Sequence, residues 1–323
     1  MIYLSAQTDH PYYHWQLEVM ILNFMRLGIN PNHIEALFCY SGNVSDAGRA
    51  LANAYPFVRI FWYPNTIQNN GGYPSLIRPH ILAKHFDAFP NLAQEVIFYH
   101  DCDIMFRALP DFTRMCSDEI CYLSDTVSYI GAKYIQSKGD ELLPKMAEIV
   151  GIDPQVAIDN ELNSGGAQYL VKGVDAEFWR KVEKDCVTMY TWFAAREEAE
   201  RKTLTPEQLA TYNPIQKWCA DMWAVLWNLW ARGRQTRVDP SLSFSWATSA
   251  GHEWDRHNIY HNAGVTENLK ATHFYKGEFI QREPWDHDFS YVKPDLCCWQ
   301  YVQNILKAKE ERKQYRNAPP PGS

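Results

Sequence analysis

What this chain lacks narrows its class before any motif is considered. Its eight cysteines form no CxxC pair and no other metal-binding spacing. Cys297 and Cys298 are adjacent and the rest are scattered in apolar surroundings, which fits buried thiols in a reducing compartment rather than a disulfide frame or a zinc site. No apolar run is long enough to span a bilayer, and Ile2-Tyr3-Leu4-Ser5-Ala6 reads as a first strand rather than a signal peptide. A cytoplasmic protein (host cytoplasm if the source is viral) without integral membrane association is therefore expected. An excess of positive charge is missing too. The net charge of −7, from 31 Lys and Arg against 38 Asp and Glu, argues against a protein that coats nucleic acid through its global field. Arg232, Arg234 and Arg237 still leave room for one local basic groove. Internal repeats and a clean linker are absent, so one domain over residues 1–316 is expected, with 317–323 (Asn-Ala-Pro-Pro-Pro-Gly-Ser) a disordered tail.

What is present is a core-forming, aromatic-rich chain of 323 residues, 46% hydrophobic and 14% Phe, Trp and Tyr. Its first hundred residues alternate between two periods. Strands are predicted at Ile2–Ala6, Ile34–Tyr40, Val58–Tyr63 and Glu95–Tyr99. Helices are predicted at Trp15–Leu27, Asp46–Tyr55 and from Ser75 to Phe86. Repeated strand–helix–strand units predict an α/β fold with a mostly parallel central sheet flanked by helices. Further on, a strand at Ile120–Ser124, a helix at Asp140–Val150 and a strand at Gln168–Val171 are expected. Long helices follow over Ala176–Lys202, Lys217–Arg232 and Trp299–Arg316.

The densest information lies in Val96-Ile97-Phe98-Tyr99-His100-Asp101-Cys102-Asp103. An apolar run ends in two aspartates one residue apart, and side chains two apart on an extended chain point the same way. Two carboxylates aimed at one point repel unless a cation sits between them. Oxygen donors with room for phosphate oxygens suit Mg²⁺ or Mn²⁺. Aspartate also favours turns, but a strand end in an α/β sheet is where such folds bind nucleotides.

With that motif in that place, the chain resembles the GT-A glycosyltransferases, nucleotide-sugar enzymes with a Rossmann-like fold and an Asp-x-Asp metal motif. It looks most like the retaining group, including glycogenin-like and lipopolysaccharide galactosyltransferase-like enzymes. Hydroxyproline arabinosyltransferases and peptidyl-serine galactosyltransferases are similar too. The resemblance covers most of residues 1–290 in arrangement and only short motifs in identity. It implies a nucleotide-binding half over 1–106, an acceptor and metal-closing half over 107–294, and a C-terminal helix over 295–316. It also implies Mn²⁺ or Mg²⁺ held by Asp101, Asp103 and a late histidine from a His-x-x-Gly segment. His261-Asn262-Ala263-Gly264 has that spacing. His273-Phe274-Tyr275-Lys276-Gly277, with Pro284-Trp285 downstream, has one residue more and is the alternative. Lys276 and Gly277 would lie near the diphosphate. His100 and Cys102 would border the donor, and Ser5, Ala6, Gln7 and Asp9 would meet the base at the end of the first strand. Arg78 would pair with Asp101 or with the pyrophosphate.

Two further segments concern the sugar and the acceptor. Asn163-Ser164-Gly165-Gly166 offers hydrogen bonds and close backbone approach, with Asp159 and Asn160 just upstream. Asp221 is the only charge between Trp218 and Trp230 on an otherwise apolar helix, and a buried carboxylate needs a partner or a task. Lys217 is the simple partner; the other reading is a carboxylate facing the sugar, as base, nucleophile or hydroxyl clamp. Asp221, Asn163 and Asp159 are thus the candidate catalytic residues. The expected activity is metal-dependent transfer of a sugar from a UDP-sugar to an acceptor hydroxyl on a glycan, peptide or modified DNA base, with retention. A phage-type enzyme acting on hydroxymethylated bases is the alternative. A sugar nucleotidyltransferase ranks lower, because Gln7–His14 lacks a Gly-rich basic phosphate loop. A carbohydrate-binding module ranks lower still, because strand–helix alternation contradicts a β-sandwich.

Overall fold

A computed structural model describes residues 1–316; the expected tail at 317–323 lies outside the described residues. The strands are β1 (Ile2–Thr8), β2 (Ile34–Tyr40), β3 (Arg59–Pro64), β4 (Val96–Tyr99), β5 (Ile104–Phe106), β6 (Cys121–Asp125), β7 (Gly165–Lys172), β8 (Thr236–Val238), β9 (Phe244–Trp246) and β10 (Ile259–His261). The chain divides into two compact units. One comprises Met1–Asn65, Ile97–Ser117 and the chain from Pro240 onward; the other comprises Thr66–Val96 and Asp118–Asp239.

In the first unit the strand order is β3-β2-β1-β4, and each neighbour pair is parallel. β1 and β2 are buried over nearly their whole length, as expected for a sheet covered on both faces, whereas β3 is half-exposed. The helix Pro11–Arg26 starts at Pro11, with His10 Nδ1 accepting from the Tyr12 amide, and stops before Gly28, whose φ of +82° ends it. Its rings join those of the strands: Tyr3, Phe24, Phe98, Phe106 and Phe112 form one aromatic cluster, with Phe24 stacked on Phe106 at 4.6 Å. The last helix, Cys297–Arg316, packs against it. There Glu18 is fully buried and receives Arg316 Nε at 2.9 Å, Arg312 Nη2 at 3.0 Å and the Tyr55 hydroxyl at 2.9 Å.

A second, three-stranded sheet, β5-β10-β9, belongs to the same unit, with β10 antiparallel to β5 and parallel to β9. These strands are too short for a readable alternation, so periodicity did not separate them from loop. Asn23 substitutes for a further partner on β5: its amide donates to Phe106 O at 3.0 Å and accepts from Phe106 N at 2.8 Å.

In the second unit β6 pairs antiparallel with β7 and parallel with β8. The helices Ile77–Ala88, Ala176–Arg201 and Ala220–Ala231 pack together beside them. The molecule is thus the α/β protein, with a mainly parallel sheet and flanking helices, that the alternating periods predict. Three local expectations change. The first helix starts at Pro11 rather than Trp15. The helix expected from Lys217 begins as a 3₁₀ turn, Lys217–Cys219, before the α-helix at Ala220. The strand expected at Gln168 begins earlier, at Gly165, because Gly165 and Gly166 pair with Asp125 and Ser124. A Cβ on Gly165 would stand 2.4 Å from Leu123 Cβ, so strand packing alone demands that glycine.

Among the described residues no helix is long and apolar enough to cross a membrane. All eight cysteines are free thiols, seven of them buried.

Candidate functional site

β1 and β4 run parallel, so their C-terminal ends reach the same edge of the sheet. The His100 amide bonds to Leu4 O at 3.0 Å, and the chain then breaks from the ladder through Asp101 and Cys102. Asp103 O accepts from the Asn262 amide at 3.0 Å, and β5 resumes at Ile104, opposite His261 in the register with β10. Asp103 is therefore fixed from two sides: by the second sheet through β10, and by the Asn23 clamp three residues on.

This pairing delivers His261 to the aspartates across more than 150 residues of sequence. His261 Nε2 lies 3.5 Å from Asp101 Oδ2 and 3.4 Å from Asp103 Oδ1. One donor atom from each of the three residues lies within 4.8 Å of the others. Trp246, on the neighbouring β9, lies parallel to the imidazole with ring centroids 6.1 Å apart and sets its plane. Lys276 Nζ bonds to Asp103 Oδ2. His273 is not in the cluster; its Nδ1 is 2.9 Å from Thr272 Oγ1.

The electrostatics are those of two anions shared by two cations. Burial alone would lower the pKa of His261, but Asp103 and then Asp101 overcome it and hold it at about 9. Burial would likewise raise Asp103, yet Lys276 and His261 hold its carboxyl well below the usual range. Burial opposes the charge on Lys276, but Asp103 more than offsets it and the pKa rises. At neutral pH the four groups sum to zero charge. His100 points away from this exchange. It is packed against Phe24 and Phe98 with Nδ1 on Asp101 O at 2.9 Å, and burial lowers its pKa to about 4, so it is neutral. Cys102 is buried and its thiol pKa is raised, first by burial and then by the flanking aspartates.

The donor set passes a test of fit for a hard divalent cation. Two carboxylates and one imidazole converge, and the site already stabilises positive charge, since a histidine and a lysine are held protonated there. The adjoining end of β1 carries a second sign of a ligand. Ser5 Oγ and both amide atoms of Gln7, on one face of the strand, are buried with no hydrogen-bond partner. Buried polar atoms without partners are rare and call for a water or a ligand. Ala6 lies between them with its side chain buried. Asp9 differs, because its carboxylate is occupied by the Ser45 amide and hydroxyl, both at 2.7 Å, and by His14 Nε2 at 2.8 Å. Gly277 sits where a Cβ would collide with the Tyr275 ring at 2.3 Å.

The remaining expected residues belong to the second unit. Asp221 opens the helix Ala220–Ala231 and is nearly buried. Tyr73 donates its hydroxyl to Asp221 Oδ1 at 2.6 Å, and the same oxygen accepts the Asp221 amide at 3.0 Å. Arg78 Nη2 lies 3.3 Å from Asp221 Oδ2 and donates to Ser75 Oγ at 3.0 Å. The simple partner, Lys217, is instead 2.6 Å from Glu197. Tyr73 is the residue sequence reasoning missed as a partner of Asp221; nothing local in the sequence links positions 73 and 221. Asn163 O accepts from Thr236 Oγ1 at 3.2 Å, and Ser164 Oγ donates to Asn160 O at 3.2 Å. Asp159 is exposed and accepts from Gln155 Nε2 at 2.8 Å. After the two glycines Ala167 adopts a φ of +64°, where the register between β6 and β7 also shifts. The basic cluster is largely answered within the unit: Arg232 by Asp175 at 2.8 Å, Arg234 by Glu119 at 3.8 Å, and Arg237 by the Tyr122 ring.

No family model matches the chain, and its sequence matches no curated protein. Among solved structures it is similar to the apo form of the bifunctional glycosyltransferase WbbM, with a TM-score of 0.47 and 10% identity over 98% of this chain and 51% of that one. It is also similar to galactosyltransferase LgtC in complex with donor and acceptor sugar analogues, with a TM-score of 0.44 and 14% identity over 99% and 97% of the two chains. A third likeness is to the apo form of mouse xyloside xylosyltransferase 1, at 0.38 and 9% over 82% and 99%. The chain spans about half the length of WbbM. At such scores and identities, the functional reading rests on the residues themselves.

Proposed function

We propose that this protein is a glycosyltransferase of the GT-A type that moves a sugar from a UDP-linked donor to an acceptor hydroxyl, with retention of configuration. The observation that carries the reading is the convergence of Asp101, Asp103 and His261 at the edge where β1 ends with Ser5 and Gln7 unpartnered. Asp101, Asp103 and His261 would hold Mn²⁺ or Mg²⁺. Such an ion binds a diphosphate and neutralises charge that develops on it as a leaving group. Ser5 and Gln7 supply hydrogen bonds to the nucleotide. Lys276, a point charge on a flexible stem, moves from Asp103 to the diphosphate. Asp221, held by Tyr73 and Arg78, accepts hydrogen bonds from sugar hydroxyls, and the Asn163–Gly166 segment borders the acceptor.

In the reaction the acceptor oxygen forms a bond to the anomeric carbon as the bond from that carbon to the diphosphate oxygen breaks. The electron pair leaves with UDP, and the acceptor's proton passes to the departing phosphate. The eight free thiols support a reducing, cytoplasmic setting.

The test is to incubate the protein with Mn²⁺ and a panel of nucleotide sugars and to follow UDP release and thermal stability. Metal-dependent stabilisation by UDP, together with release from one donor, is expected. If no donor releases UDP and UDP with Mn²⁺ leaves the melting temperature unchanged, the reading is wrong.

A further inference from the structure

We propose that Tyr301, on the last helix, is a positioning residue of the metal centre: its hydroxyl and the Asn262 side-chain amide hold Asp103 through one buried water. The inference rests on the reading of Asp101, Asp103 and His261 as a cation site, and it extends that site to the C-terminal helix. All the residues involved belong to the first compact unit.

The last helix is tied to the three-stranded sheet that delivers His261. Its Asn304 amide reaches Met105 Sδ on β5, and the Cys297 thiol donates to Ala250 O at 3.1 Å. Between those two ties lies Tyr301, which is fully buried. Its ring stacks on Tyr260, the residue before His261, with centroids 5.5 Å apart and planes 21° apart. It also meets Phe274, two residues before Lys276, at 5.6 Å, and Trp15 at 6.4 Å. One phenol thus braces the segments that carry His261 and Lys276.

A phenylalanine would make the same ring contacts, so the hydroxyl needs its own explanation. It is buried with no hydrogen-bond partner, and so is Nδ2 of the buried Asn262. A buried donor left unpaired costs the full loss of its hydration. Both groups lie beside Asp103. The Asn262 backbone amide donates to Asp103 O at 3.0 Å, and Asn262 Oδ1 accepts at 3.0 Å from the hydroxyl of Tyr260, on which Tyr301 stacks. Burial first, and then the Asp103 carboxylate, raise the pKa of Tyr301 well above its ordinary value, so its hydroxyl stays a donor at any physiological pH.

Nδ2 can only donate, so whatever lies between these groups must accept hydrogen bonds, which excludes a second cation. A water that accepts from Tyr301 and Asn262 and donates to Asp103 has the three polar partners usual for a buried water. Each Asp103 oxygen faces one cation already, His261 at Oδ1 and Lys276 at Oδ2, and a carboxylate oxygen has a second lone pair to offer. Held from behind in this way, the carboxylate keeps its direction when the cations in front of it are exchanged.

The test uses the full chain, first metal-free and then with Mn²⁺ alone. A crystal structure should show one ordered water within hydrogen-bond distance of the Tyr301 hydroxyl, Asn262 Nδ2 and an Asp103 carboxylate oxygen. Tyr301→Phe keeps every ring contact and should weaken Mn²⁺ binding, read by calorimetry, about tenfold. It should also lower the melting temperature of the metal-free protein by about 1–2 °C. Tyr291 supplies the control, because its hydroxyl is likewise buried without a partner but has Glu278, Arg282 and Asp288 as its charged neighbours. Tyr291→Phe should leave the affinity for Mn²⁺ within about twofold. If the wild-type protein binds no Mn²⁺, the cation-site reading itself fails. If it does, four results would disprove the positioning role: no water in contact with Asp103, an unchanged Mn²⁺ affinity in Tyr301→Phe, an equal loss in Tyr291→Phe, or a higher melting temperature for Tyr301→Phe. The last is what removing a hydroxyl from a dry core would give.

Discussion

Two buried acidic sites in the first unit face two cations each, and they are built for opposite ends. Glu18 is met by Arg312 and Arg316; Asp101 and Asp103 are met by His261 and Lys276. Guanidinium groups do not lose their proton, and their planar forks lock onto a carboxylate. Arg316 does so with Nε and Nη2, both at 2.9 Å from Glu18, and the Tyr55 hydroxyl completes the shell. An imidazole can release its proton, and an ammonium on a four-carbon stem can swing away. The Glu18 site is therefore a permanent clasp between the first and last helices. The aspartate site is a balanced set of charges whose cations can be exchanged for others.

The sharpest way to break this contrast is to remove the anions. Changing Asp101 and Asp103 together to Asn should abolish metal-dependent nucleotide binding, a loss of at least ~100-fold, and should also lower the melting temperature of the free protein, because His261 and Lys276 lose the anions that hold their charge. If the double variant still bound UDP with Mn²⁺, the site assignment would be wrong. Lys276→Met comes next. It removes a cation that competes for Asp103, so Mn²⁺ alone should bind about tenfold tighter. It also removes a partner of the diphosphate, so UDP with Mn²⁺ should bind about tenfold weaker. Calorimetric titrations that moved both affinities the same way would mean that Lys276 is as fixed as the arginines.

At Glu18 the expected effect is on folding. Burial would raise its pKa, but Arg316 and Arg312 outweigh that and hold it below the ordinary value of 4.5. A carboxyl with a depressed folded pKa contributes stability that is present above the unfolded value and lost as the pH falls toward the folded one. Between about pH 5 and 3 the protein should therefore lose stability, and Glu18→Gln should flatten that part of the curve. At neutral pH the variant should cost ~2–3 kcal/mol in urea unfolding, below the full penalty for breaking a buried pair because both arginines reach solvent. An unchanged acid limb would show that Glu18 is no clasp.

Reading the sequence recovers what depends on local period and misses what depends on long-range pairing. β2 was legible to the residue because its run is uninterrupted, whereas the early helices were placed by their period and not by their caps: the first begins at Pro11, four residues before Trp15, and no side chain caps the helix that opens at Ile77. The Asp-x-Asp at the end of a predicted strand was legible, although its two carboxylates meet through a turn at Cys102–Asp103 rather than along extended backbone, and His261 was expected only through the His-x-x-Gly of the family the chain resembles. Trp246 on His261, and Asn23 on Phe106, were not legible. Trp246 meets His261 only because two strands of three residues pair, and three residues carry no period; Asn23 meets Phe106 from a helix, 83 residues away in sequence. The same holds for Tyr73 and Asp221, and for the role of Gly165, whose neighbours on β6 no local pattern announces.

That last carboxylate tests whether the distinction between clasp and exchange extends to the second unit. Asp221 is answered by one neutral donor and one cation: the Tyr73 hydroxyl at 2.6 Å and Arg78 at 3.3 Å. Tyr73 is itself buried, stacked on Tyr190 with ring centroids 4.6 Å apart, and both burial and Asp221 raise its pKa, so it stays a donor at any physiological pH. Tyr73→Phe keeps the ring and the stacking but leaves Asp221 without that donor and its amide without an acceptor, at a cost of ~1–2 kcal/mol. Asp221→Asn keeps an oxygen for the Tyr73 hydroxyl and gives up only the ion pair with a half-exposed arginine, so it should cost under ~1 kcal/mol. Urea denaturation of the two single variants and the double would place Asp221 on one side or the other. A larger loss for Tyr73→Phe, with strong coupling to position 221, marks a carboxylate held by hydrogen bonds and leaves Arg78 open to exchange. The reverse order would make Arg78 the holder, and this site would then resemble Glu18 rather than the aspartate pair.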